Sequence, residues 1–145
     1  MQEESIAVKS NSIWQPKQSR VYNRLDFDIV DSDLYHCSLL RYTRSHRQLV
    51  LEVMFKEAGN YETSFYLWFE TLWYFQGPTS WTGIDFELGD MNERKGILRI
   101  GFLNIEENMI EAFAQQHELF VLRRPTFTIQ ILAANCYIVK NISDS

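Results

Sequence analysis

The chain has 145 residues, a formal charge of -5, and 46% apolar and 14% aromatic residues, enough apolar material for the core of one ordinary domain. The acidic balance argues against nucleic acid or an anionic membrane as the main partner, because phosphate binding relies on a net basic face. No stretch reads as a signal peptide or a membrane helix, so a cytoplasmic location is expected. Cys37 and Cys136 suit neither a disulfide framework nor a zinc site, and reduced, buried thiols are expected.

Residues 1–20 are polar and read as a poorly ordered N-terminal arm, with a single β-rich domain expected over 21–145. Trp14 in this arm either docks back on the domain or meets a partner. From Tyr22 the pattern has period two, Leu25, Phe27 and Ile29 alternating with Asp26 and Asp28 as in a half-buried strand. The "DSD" at 31–33 breaks it, since Asp and Ser favour turns. "LYHCSLLRYT" predicts a second strand and "RSHR" a short basic connection. In "RQLVLEVMFK", Leu49, Leu51, Val53 and Phe55 share one face of a third. "EAGNY" reads as a hairpin turn, because Gly59 and Asn60 tolerate positive φ.

The return strand is "YETSFYLWFETLWYF". If regular, it carries Phe65, Leu67, Phe69, Thr71, Trp73 and Phe75 on one face and Ser64, Tyr66, Trp68, Glu70, Leu72 and Tyr74 on the other. Trp68 and Trp73 would then point opposite ways. Gly77-Pro78 ends the strand, which puts Trp81 at a rim beyond the turn. "TGIDFELGD" predicts a strand with Ile84, Phe86 and Leu88 inward. Gly89–Asp90 through Lys95–Gly96 reads as a polar loop and "ILRIGFL" as a further strand. Around 105–117 either a short helix, with Asn104 and Glu107 at its start and Ile110, Phe113 and His117 on one face, or an irregular strand fits. "ELFVLRR", Pro125 and "TFTIQILAANCYIVK" predict a final hairpin. The expected fold is mainly β, a single-domain antiparallel β-sandwich or strongly curved sheet.

No phosphate-binding glycine loop, metal-binding spacing or nucleophile motif is present, and no catalytic residue is assigned. His36 adjoins Cys37, but successive strand residues face opposite ways. Arg41, Arg44, His46 and Arg47 form either a solvated basic rim or a docking spot for an acidic partner. Asp85 and Glu87 share a strand face, with Arg99 as a possible salt-bridge partner, and Glu70 lies among aromatics where desolvation would raise its pKa. Trp68, Trp73 and Trp81, with Tyr66 and Tyr74, either line a stacking platform or cavity, or fill a central strand covered on both faces.

In their order, "LYHCS", "LLRYTRSHRQLVLEVMF", "YLWFETLWYF" and "FTIQILAANCYIVK" resemble a group of small bacterial β-domains that carry a His-Asp-small motif before a long hairpin, some of them similar to immunity proteins that neutralise a toxin by binding it. Cys37 stands where that pattern has Asp. The resemblance implies a bacterial, non-catalytic, immunity-like or regulatory module that binds another protein or a second copy of itself, with no cofactor. Two alternatives stand beside it: a curved sheet binding a small molecule in a cavity lined by Trp68, Trp73 and Tyr74, and an enzyme without a recognisable motif using Glu70, Asp85 or His36. The candidate binding residues are Trp68, Trp73, Tyr74, Trp81, Glu70 and His36, with no metal.

Overall fold

The computed structural model describes residues 17–18, 32–45, 47–57, 59–101 and 104–139. Most of the N-terminal arm, the alternation over 25–29 and His46 lie outside them. The strands are β1 (Lys17–Gln18), β2 (Tyr35–Thr43), β3 (Gln48–Glu57), β4 (Asn60–Gln76), β5 (Ser80–Thr82), β6 (Glu87–Leu88), β7 (Glu118–Arg123) and β8 (Thr128–Val139). Two helices, α1 (Met91–Gly101) and α2 (Glu107–Gln115), separate β6 from β7. An antiparallel path runs β5-β2-β3-β4-β8-β7-β6, and β1 adds to β8 in parallel. The result is mainly β, a single curled half-barrel sheet. Of the two expected architectures, the strongly curved sheet is the one formed.

Chain length enforces the curl. β5 and β6 sit at opposite ends of the path, yet only residues 83–86 join them. Five steps of extended chain reach at most ~18 Å, whereas seven strands laid flat at ~4.8 Å spacing would hold their edges ~29 Å apart. The edges must therefore approach, and Trp81, Ile84 and Phe86 are buried inside the curl with residues from all the long strands. Phe69 on β4 reaches Phe120 on β7 across the intervening β8, with ring centroids 5.3 Å apart. Irregularities supply the bend, since an extra residue on one strand increases local coiling. The pairing slips between Leu39 and Arg41 on β2, opposite Val53 and Met54 between β3 and β4, and between Leu72 and Tyr74 on β4.

Asp85 latches the closed edges. Its carboxylate accepts hydrogen bonds from Ser32 Oγ (2.7 Å), just before β2, and from Arg124 Nη2 (2.7 Å), just after β7. Burial pushes the carboxyl up, but those two bonds and the Arg124 charge outweigh it and hold Asp85 below the usual range. Gly83 stands beside this latch at φ +116, a conformation that L side chains rarely adopt.

Several sequence expectations are corrected. Residues 91–101 form a helix, not a loop and a strand. Asp90 and Glu93 cap it reciprocally: Glu93 N–H donates to Asp90 Oδ1 (2.8 Å) and Asp90 N–H to Glu93 Oε1 (2.9 Å). Leu88 points outward, half exposed, unlike Ile84 and Phe86. The carboxylate partners also differ: Asp85 pairs with Arg124, Glu87 with Arg123, and Arg99 with Glu107. Beside both Arg99 and Lys95, Glu107 is held below the usual carboxylate range by their hydrogen bonds and charges. The helix expected near 105–117 is present as α2, and the final hairpin as β7 and β8. Both cysteines are buried and outside any disulfide, and burial pushes the Cys37 thiol far up. No helix among the described residues is long and apolar enough to cross a membrane.

Candidate functional site

The faces of β4 do not follow simple alternation. Its positions in the interior cluster are Phe65, Leu67, Phe69, Leu72 and Phe75. The spacing lengthens from two to three after Phe69. Thr71, at φ 55, breaks the phase there, and the extra residue at Trp73 breaks it again. On β8 the interior positions Ile129, Ile131, Ala133, Cys136 and Ile138 break phase once, at the same level. Trp68 and Trp73 consequently share the outer face, where regular alternation would separate them. Trp68 packs there with Val50 and Val139, and Trp73 with Tyr74, Leu132 and the helices.

At the end of the half-barrel where β2 stops and β3 begins, β4 runs on past β3. Leu49 pairs with Phe69, and beyond this Leu72 N–H donates to Arg47 O (2.8 Å). A cavity of about 320 Å³ opens in this wedge, lined by Leu39, Tyr42, Leu49, Leu72, Trp73, Tyr74 and Phe75. The slip at Leu40 turns Arg41 outward opposite Val50 and brings Tyr42 opposite Leu49, over the interior. A smaller cavity of about 130 Å³ lies between α1 and the sheet, and Trp73 and Tyr74 wall both. Two of the larger cavity's lining residues, Tyr42 and Tyr74, carry hydroxyls, and that of Tyr74 donates to Gln76 Oε1 (2.9 Å). A third cavity, about 260 Å³, lies by Tyr35, Phe55, Glu62, Thr63 and Ser64 near the opposite ends of the same strands.

Backbone strain gathers at the larger cavity. Arg47 (φ 52) and Thr71 (φ 55) are the non-glycine residues with positive φ among those described, and the Leu72–Arg47 hydrogen bond joins their segments. Arg47 lays its guanidinium over the Trp73 ring, 4.0 Å from the centroid, and Arg41 lies 5.4 Å over Trp68. Behind Trp73, the ring of His117 stands edge-on at 5.9 Å. Its Nδ1 donates to Phe113 O (2.7 Å), and buried Nε2 has no hydrogen-bond partner among the described residues.

Of the residues singled out from the sequence, Trp73 and Tyr74 meet in the cavity wall. Trp68 is buried on the outer face beneath Arg41. Glu70 is half-buried opposite Asn135. Trp81 is not at a rim but 3% exposed in the interior, with Nε1 donating to Gly83 O (3.1 Å). His36 is remote, its Nδ1 3.3 Å from Thr82 Oγ1 and its ring 5.6 Å from Tyr61. Among the described residues no group of three His, Cys, Asp or Glu side chains is placed to hold a metal ion. Leu39, Tyr42 and Leu49 are lining residues that the sequence does not single out, because the slips that gather them have no compositional mark, whereas Arg47 stands in the basic turn read as a rim or docking spot. The adjacent Leu39-Leu40, breaking alternation, is the one visible sign. Compared with protein-family models, curated proteins and solved structures, the chain matches none.

Proposed function

We propose that this protein binds a small apolar molecule in the cavity walled by Tyr42, Trp73, Tyr74 and Phe75. The observation that carries the reading is the aromatic-lined space of about 320 Å³ at the open end of a curled sheet. Small-molecule sites begin near ~300 Å³, are mostly apolar with a few placed polar groups, and favour the mouths of β-barrels. At ~30 Å³ per water, the space equals roughly ten waters, which limits the ligand to about ten non-hydrogen atoms.

Titration with 1-octanol tests it through the indole N–H resonances of the tryptophans. The Trp73 signal should move saturably while that of Trp81, bonded to Gly83 O in the interior, stays in place. Leu39→Trp, which fills the cavity from the β2 side, should abolish the shift without loss of the folded spectrum. If Trp73 does not respond in the wild type, the reading is wrong, and the immunity-like or self-association role implied by the sequence resemblance becomes the one to pursue by light scattering.

A further inference from the structure

The ion pairing of the arginines is uneven. Seven arginines fall among the described residues, and four of them meet a carboxylate: Arg94 with Glu118 (3.9 Å), Arg99 with Glu107 (2.7 Å), Arg123 with Glu93 (2.5 Å) and Arg124 with Asp85 (2.7 Å). The other three, Arg41, Arg44 and Arg47, have no carboxylate within ion-pair distance among the described residues, although the chain carries 19 acidic residues against 14 basic ones. All three belong to the β2–β3 hairpin end that borders the cavity. Even Glu70, on the outer strand face between Trp68 and Trp73, makes no ion pair with them.

Two of these cations are held in place. Arg41 is fixed over Trp68, and its Nε is buried with no hydrogen-bond partner among the described residues. Arg47 is fixed by its turn, its N–H donating to Arg44 O (3.2 Å), and by the Trp73 ring beneath it. Stacking occupies the face of a guanidinium and leaves the N–H donors on its edge free for a planar anion. Trp73, one of the residues lining the cavity, thus carries on its ring a guanidinium that meets no carboxylate among the described residues. Arg44, exposed in the same turn, adds a second positive charge.

From this juxtaposition we infer that the ligand is a monocarboxylate with an apolar body of about ten non-hydrogen atoms, the body in the cavity and the carboxylate at Arg47 and Arg44. The inference rests on the cavity reading above and adds the head group to it. Recognition is ionic and bidentate and involves no covalent step. The net negative charge of the chain disfavours anions in general, and the hairpin end offers an anionic amphiphile an apolar space together with arginines that meet no carboxylate among the described residues.

The experiment compares octanoate with 1-octanol on the full chain at neutral pH, following the Trp73 indole resonance. A site that recognises only apolar surface takes the alcohol more tightly, because the carboxylate is better solvated by water. The expected result is the reverse, octanoate about tenfold tighter, with the preference shrinking as salt is raised. Arg47→Gln should bring the octanoate-to-1-octanol affinity ratio down to about one or below. Arg47→Lys, which keeps the charge and loses the planar fork, should retain part of it. If 1-octanol binds as tightly as octanoate, or if the preference survives in the Arg44→Gln/Arg47→Gln double variant, the carboxylate inference is overturned while the cavity stands. If neither compound moves Trp73, the cavity reading itself fails.

Discussion

Thr71 offers a test of how the β4 strand is built. It is exposed, so its side chain contributes little packing, and it sits at φ 55, where L residues pay for the clash of Cβ with the backbone. That clash is about 1–2 kcal/mol for an ordinary residue, and β-branched Thr is among the least suited. Asn tolerates this conformation because its short polar side chain bonds locally. Thr71→Asn should therefore stabilise the protein by about 1 kcal/mol, or roughly 3–5 °C in melting temperature for a domain of this size. Thr71→Gly removes the clash altogether but gives back about 0.5–1 kcal/mol through the freedom of glycine in the unfolded chain, so it should fall between the two. At an ordinary exposed strand position the ranking runs the other way, with Thr above Asn and Gly by up to about 1 kcal/mol. Urea unfolding of the three proteins, followed by tryptophan fluorescence, decides between opposite signs. If Thr is the most stable of the three, the left-handed phase break at residue 71 is not a strained feature and the account of the β4 faces fails.

Asp85→Asn should lower stability at neutral pH and flatten the acid limb of the stability curve. With its folded pKa held below the usual value near 3.9, the wild-type carboxylate contributes fully above that value and loses its contribution as pH falls through the folded pKa. Denaturant melts across pH 2–6 read the difference, and identical limbs would remove Asp85 as a latch. Arg94→Gln should destabilise by about 1–2 kcal/mol, because Arg94 Nη1 donates to Ala114 O (2.9 Å) and His117 O (3.2 Å) at the end of α2. Hydrogen exchange should quicken in α2 well before the β4–β8 ladder, and uniform quickening would show that the helix is not separately held.

The sequence displays what its physical signals encode. Alternation located β2, β3 and the β7–β8 hairpin, and the Gly59 turn fixed where β3 reverses, because each rests on side-chain period or backbone freedom within a few residues. The helix α1 carried a legible signal too, the Asp90-x-x-Glu93 capping box. It was masked by Gly89 in front, Gly96 within, and the strand-like run Ile97-Leu98-Arg99-Ile100. Leu88 departs from the alternation of Ile84 and Phe86 because β6 is only two residues long and leaves its side chain half exposed.

The faces of β4 were illegible for a different reason. Apolar residues fill both sides of the strand, so shifting the phase by one residue leaves the pattern unchanged in composition while exchanging which tryptophan meets which neighbour. Thr71 has no turn signature, and the extra residue at Trp73 shows only in the pairing with β8. Those irregularities nevertheless decide the site. They bring Leu72 and Phe75 to the interior, Trp73 and Tyr74 to the wall between two cavities, and Arg47 onto the Trp73 ring. Strained backbone of this kind clusters at functional sites in proteins generally. Here the non-glycine left-handed residues, the slips at Leu40 and Trp73 and the arginines that meet no carboxylate among the described residues converge on one end of the half-barrel, while the Asp85 latch obeys ordinary pairing. That convergence makes the Trp73 resonance the most informative single reporter of the proposed site.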